Sequence, residues 1–204
     1  MTELLSGRDL TVFRGERCLF HDLSFALNEG ASLLIQGPNG CGKTTLLRAV
    51  AGLLDLEEGE IRWRGQSTLT HRQDFHRELA WFAHRVGFKG DLTLLENLRF
   101  ESGLRCTSMQ RLDEVLQKLG LVSLTELPFR ALSAGQQRRV GLARMLLANA
   151  RLWLMDEPLT NLDAAGQELV VNLILEHLQG GGACMLASHQ PVELSSNMQR
   201  IVMQ

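Results

Sequence analysis

The chain has 204 residues, 45% of them hydrophobic, and a formal net charge of −2. That length suits one domain, or one core with an inserted subdomain, and allows a sizeable buried core. The charge gives non-specific nucleic-acid binding no electrostatic basis, and no apolar run approaches the roughly 20 residues that span a bilayer. The N-terminal MTELLSGRDL lacks a basic segment followed by an apolar stretch, so no secretory signal is expected. The four cysteines, Cys18, Cys41, Cys106 and Cys184, form no CxxC pair. They are expected as reduced thiols in a cytosolic compartment, not as a disulfide framework or a zinc site.

In chain order, Leu23–Leu27 alternates like a strand and Asn28-Glu29-Gly30 reads as a turn. Ser32–Ile35 is a compact buried strand, and Lys43–Ala51 a helix closed by Gly52. Glu60–Arg64 and Leu79–Ala83 are further strands. From about Gly87 to Leu147 the pattern turns helical, with helices at Thr93–Glu101, Met109–Leu119 and Gly135–Leu147. Leu152–Met155 and Ala183–Ala187 return to strand, separated by a helix at Ala164–Leu178 that Gly180-Gly181-Gly182 ends. Strands alternating with helices predict an α/β fold carrying a helical insertion.

Gly37 to Thr44 fits G-x-x-x-x-G-K-[ST] between a strand and a helix, the context in which that loop cradles phosphate. Gly37, Gly40 and Gly42 let the backbone N–H groups converge, with Pro38, Asn39, Cys41 and Thr45 completing the loop. The following helix adds its positive end. Lys43 supplies charge to the β- and γ-phosphates of a nucleotide, and Thr44 a hydroxyl to Mg²⁺. Asp156 and Glu157 end an apolar strand just before Pro158, at the strand edge where α/β sheets bind ligands. Asp156 is placed to hold the Mg²⁺ shell, and Glu157 to orient or deprotonate the attacking water. Between these segments lies Leu132-Ser133-Ala134-Gly135-Gln136, then Gln137-Arg138-Arg139-Val140. Ser133 is a good N-cap, so the run reads as a helix start. It has no evident work on the nucleotide of its own subunit.

With these three segments in this order, the chain resembles the ATPase subunit of an ABC transporter, from about Leu10 to the end. The resemblance implies a P-loop core of the ABC ATPase type with an inserted helical subdomain and an N-terminal β-rich part. Residues 1–204 would form one ATP-binding domain, with core at about 1–86 and 148–204 and helical subdomain at about 87–147. It implies ATP and Mg²⁺ as cofactors and ATP hydrolysis as the activity. It also implies a homodimer closing head to tail around two nucleotides, and a separate integral-membrane partner at the cytoplasmic face of a bacterial inner membrane. LSAGQ resembles the family's signature sequence, which faces the γ-phosphate bound to the opposite subunit, so Ser133, Gly135 and Gln136 are expected to meet ATP in trans. Asn161-Leu162-Asp163 resembles the loop that crosses the dimer interface, and His189 the switch histidine that contacts the γ-phosphate.

Three departures from the family pattern stand out. Ala134 replaces the usual Gly, which costs little at a helix start. His84 stands where the family has Gln; imidazole is a poorer Mg²⁺ ligand than an amide oxygen, so His84 acts through water or couples the site to the membrane partner. We expect it to give ATP turnover a pH dependence near neutrality. The aromatic that stacks on adenine in many relatives aligns at Arg14 with Phe13 beside it; either can cover the base, and purine preference is expected to be loose. The strings WFAH, LTLLENLRF, LSAGQQRRV and SHQP, and the His84 and Arg14 departures, are similar to the branch that serves haem delivery in bacterial cytochrome c maturation. In that branch hydrolysis would drive release of a haem-loaded periplasmic chaperone. An ABC ATPase for another cargo, or one for cofactor assembly without a membrane channel, stays open.

Overall fold

The computed structural model describes residues 3–83, 87–105, 107–160, 162–190, 192, 194 and 198–203. Expectations placed on His84, Cys106, Asn161 and Pro191 lie outside them.

Two sheets carry the fold. The first is antiparallel, in the order β2-β1-β4-β5, from β1 (Glu3–Arg14), β2 (Arg17–Asn28), β4 (Glu58–Trp63) and β5 (Gln66–Ser67). The second is parallel, in the order β6-β7-β8-β3-β9, from β3 (Ser32–Gln36), β6 (Leu79–Phe82), β7 (Leu152–Asp156), β8 (Ala183–Ser188) and β9 (Met198–Val202). Strands β7 and β8 are buried along their whole length, which explains why they read as unbroken apolar runs.

Alternate residues of the parallel sheet serve two cores. Leu33, Ile35, Leu152, Leu154 and Met185 pack with α1 (Lys43–Val50) and the antiparallel sheet. Leu34, Trp153, Met155, Cys184 and Leu186 pack on the other side with residues of α4 (Leu112–Lys118), α5 (Ala134–Ala148) and α6 (Ala164–Gln179). Leu94 and Leu98 of α3 (Leu94–Arg105) join that second core. Among the described residues, no helix is long and apolar enough to cross a membrane.

The structure corrects several element expectations. The strand expected at Leu23–Leu27 is the last part of β2, which begins at Arg17. Strand β1 was expected only as part of a β-rich N-terminus. Its register shifts at several points and Asp9 takes φ 52, so the alternation that marks a strand is interrupted. The short helix α2 (Arg72–Arg77) and strand β9 were not expected; α2 buries Phe75 alone, and β9 is exposed or half-buried throughout. Both helix α3 and helix α5 start with a reciprocal box. Thr93 Oγ1 accepts from Glu96 N at 3.1 Å while Glu96 Oε2 accepts from Thr93 N at 2.8 Å, and Ser133 and Gln136 repeat the pattern.

Candidate active site

The parallel strands bring their carboxyl ends together: Gln36 pairs with Ser188, and Asp156 with Ala187. Among the described residues, the segments that leave β3, β7 and β8 at this edge each carry a residue singled out above.

The loop after β3 turns at Gly42, which caps α1 at φ 111 and ψ 4, a conformation a side chain rarely tolerates. Gly37 is fixed by crowding: a Cβ there would lie 2.5 Å from Met203 O and 2.7 Å from Cys41 Sγ. The Cys41 thiol is therefore packed beneath the loop, and this residue offers a nucleotide only its backbone. Lys43 is 6% exposed and folds back over the loop, donating from Nζ to Gly37 O at 2.7 Å and Pro38 O at 3.0 Å. Its Nζ lies 3.9 Å from Glu157 Oε1. Thr44 Oγ1 contacts both oxygens of Asp156, at 3.0 and 2.9 Å.

Glu157 follows β7 with φ 51, outside the region that residues with a Cβ prefer. Its backbone N donates to Ala187 O at 2.9 Å, tying it to β8. Its carboxylate is held by His189, whose backbone N donates to Oε1 at 3.0 Å and whose Nδ1 lies 2.9 Å from Oε2. Facing a carboxylate, Nδ1 carries the proton, which leaves Nε2 as the ring's remaining hydrogen-bonding atom. Thr160 Oγ1 donates to the same Oε2 at 3.3 Å.

A cleft of about 500 Å³ opens over this edge. Asn39, Gly40, Gly42, Lys43, Thr44, Thr45, Asp156, Glu157 and His189 line it, with Arg14 and Leu19 at one side. Phe13 does not line it; it is 47% exposed, and neighbouring residues of a strand face opposite ways. Of the two candidates for covering the base, the structure brings Arg14 to the cleft. Thr160 and Arg48 also line it and were not singled out from the sequence.

Ser133, Gly135 and Gln136 do not line this cleft. They form the first turn of α5, where Ser133 Oγ accepts from Gln136 N at 3.3 Å and Gln136 Oε1 accepts from Ser133 N at 2.8 Å. The Gln136 side-chain oxygen is thus engaged within its own chain. Ser133 keeps its hydroxyl proton available, because accepting a bond does not use it. Ala134 is the first residue of the helix, in keeping with the mild effect expected of it.

A glycine loop under a buried lysine, with a carboxylate at the end of β7, two strands away in the same sheet, touching Thr44, defines a P-loop ATPase. The chain belongs to the ABC transporter family, whose pattern it matches over residues 20–160, and it is an ATP-binding, ATP-hydrolysing subunit of that family. It is 41% identical over 200 residues to the cytochrome c biogenesis ATP-binding export protein CcmA of Yersinia pestis, covering 97% of this chain and 92% of that one. The protein of the same name from Nitrosospira multiformis is 43% identical over 193 residues, covering 94% of each chain. Among solved structures, an ATP-binding subunit of an ABC transporter aligns with a TM-score of 0.84 at 24% identity, over 91% of this chain and 79% of that one. An ATP-binding cassette in its ADP conformation aligns with a TM-score of 0.80 at 24% identity, over 100% of this chain and 88% of that one. These likenesses bear out the ABC ATPase fold, with its antiparallel sheet beside the parallel P-loop sheet.

Proposed function

We propose that this chain is the ATPase subunit of an ABC complex for haem delivery in c-type cytochrome maturation. It would work as a homodimer, bound at the cytoplasmic face of the inner membrane to a separate integral-membrane subunit. Hydrolysis would drive release of the haem-loaded periplasmic chaperone. Support for the pathway comes from relatives named for cytochrome c biogenesis, more than 40% identical over nearly all of this chain. The observation that carries the chemistry is the meeting of Lys43, Thr44, Asp156, Glu157 and His189 in one cleft.

The Thr44 hydroxyl and Asp156 carboxylate are hard oxygen donors in mutual contact, a donor set that fits Mg²⁺. Bound there with ATP, the ion neutralises phosphate charge. Lys43 exchanges its two loop carbonyls for the phosphates. Glu157 takes a proton from the attacking water, and His189 fixes the direction in which that carboxylate points. The Ser133 hydroxyl and the N–H groups at the start of α5 reach the phosphates of the partner's ATP. Dimer closure excludes water, and hydrolysis reopens it.

Residues 87–147 would move as a helical subdomain and pass this motion to the membrane subunit. An apolar groove of about 870 Å³, lined by Leu53, Trp81 and Leu104, supports a docking role for this side of the chain. Leu53 is 64% and Leu104 68% exposed.

The test is genetic and biochemical together. Deleting the gene should abolish haem attachment to c-type cytochromes, wild-type protein should restore it, and Glu157→Gln should not. A deletion strain with normal c-type cytochromes, or a co-purifying membrane subunit that exports another cargo, would remove this assignment.

A further inference from the structure

Arg138 has no part in the chemistry described above, yet it reaches the centre of it. It lies one turn into α5, on the helix that begins at the Ser133 cap. Its side chain turns inward and is only 7% exposed. Nη2 donates to the backbone oxygen of Glu157 at 2.5 Å, and the guanidinium sits over the Phe82 ring, 5.0 Å from its centroid. Nε is buried without a hydrogen-bond partner among the described residues. Burial pushes the Arg138 pKa down, and the charge of Glu157 opposes that shift.

A buried cation with an orphaned N–H is a poor device for stability alone. Its position suggests another use. The Glu157 peptide is held in a left-handed conformation, φ 51. Ala187 O fixes its N–H from β8, and Thr160 N meets its oxygen at 3.3 Å from the loop that follows. The Arg138 bond reaches the same oxygen from α5, one turn after the signature run that starts the helix.

We propose that Arg138 is a positioning residue that ties α5 to the Glu157 peptide, so that engagement of the α5 N-terminus sets the carboxylate of the same chain. This rests on Glu157 acting as the base and on α5 meeting the partner's ATP. Under head-to-tail pairing, the Ser133 end of one chain's α5 senses the nucleotide held by its partner. Arg138 then conveys that contact to the chain's own Glu157. The tether therefore makes each site's turnover depend on occupancy of the other. A guanidinium suits the task because it is planar, lies flat on a ring and directs its N–H at a carbonyl.

The experiment compares the full-length wild type with Arg138→Met, Arg138→Lys and Glu157→Gln, following ATP turnover against ATP concentration. Wild type should show a Hill coefficient above 1. Arg138→Met should lower kcat at least tenfold, leave KM for ATP within twofold, and bring the Hill coefficient to about 1. Arg138→Lys should fall between the two in kcat, because an ammonium still donates to the carbonyl but cannot stack as a plane. The lysine variant carries the test alone if the methionine variant does not fold. Wild-type kcat and cooperativity in the variants, a wild type that is not cooperative, or parallel losses in kcat, ATP affinity and folded fraction would each overturn the tether. The Glu157→Gln control separates the two ideas. If it hydrolyses ATP normally, the reading of Glu157 fails and takes the tether with it; if it is inactive beside a fully active Arg138→Met, the tether alone fails.

Discussion

His189 grips Glu157 by both carboxylate oxygens, through its backbone N at 3.0 Å and its ring Nδ1 at 2.9 Å. The grip sets the direction of the carboxylate, and His189 directly follows Ser188, the last residue of β8, and lines the cleft. Glu157→Gln removes the base and puts an amide NH₂ opposite one of two N–H donors. We expect turnover to fall by about 10²–10⁴-fold, the span of general-base contributions. ATP binding should persist and trap an ATP-bound dimer, readable by size-exclusion chromatography. Turnover at the normal rate would take Glu157 out of the mechanism.

Asp156→Asn tests the metal assignment. An amide oxygen still accepts from Thr44, so the contact at 2.9–3.0 Å can survive while the charge is lost. The Mg²⁺ concentration for half-maximal turnover should rise tenfold or more, with little change in thermal stability. An unchanged Mg²⁺ requirement would separate Asp156 from the ion.

How much of this site was legible depends on where its constraints act. The cradle was readable because its backbone needs Gly37 and Gly42 and tolerates little else there. Asp156 and His189 were readable because one ends and the other directly follows a strand that is buried throughout. The choice between Phe13 and Arg14 was not, because strand parity decides it and β1 was not delimited: Asp9 and the register shifts interrupt its alternation. Gln136 carries a second signal besides its place in the signature run: Ser-x-x-Gln is a capping box, and in this chain its side-chain oxygen holds the helix start. Arg138 gave none. Its bond to a carbonyl 19 residues further on follows no local spacing.

Arg14 should tune base binding. A guanidinium at the cleft wall stacks on any purine without reading its edge. Arg14→Ala should raise KM for ATP and GTP alike, about five- to tenfold for a contact of about 1 kcal/mol, with kcat little changed. Phe13→Ala should change neither. Steady-state kinetics with both nucleotides decides this; a loss confined to the Phe13 variant would reverse the assignment.

The capping box allows the two roles of the signature run to be separated. Ser133→Ala and Gln136→Ala each break half of it, and loss of the Ser133 cap should cost about 1 kcal/mol. Both variants should melt a few degrees lower. The serine variant alone should also lose kcat, because only Ser133 has a hydroxyl proton to offer the partner's ATP. Equal kcat losses in both would mean that the helix start matters and the hydroxyl does not.

Stability towards acid should depend on His177, far from the chemistry. Its ring stacks on Trp153 at 4.0 Å and 7°, and Nε2 donates to Ala183 O at 3.2 Å. Burial pushes its pKa down from 6.5 to about 4, an effect that the backbone hydrogen bonds only partly oppose. The unfolded chain therefore binds this proton from about pH 6.5 downward, and the folded chain only near pH 4. Stability rises with pH where the unfolded state holds more protons. The contribution of His177 is thus complete above pH 6.5 and is lost as pH falls to about 4. The shift corresponds to about 3 kcal/mol at most. His177→Phe keeps the stack and removes the titration, at a cost of about 1 kcal/mol for the Ala183 hydrogen bond. Urea unfolding between pH 4.5 and 7.5 should show the variant less stable than wild type at neutral pH, with the gap closing or reversing on acidification. A constant gap across that range would mean that His177 does not stay neutral in the folded chain.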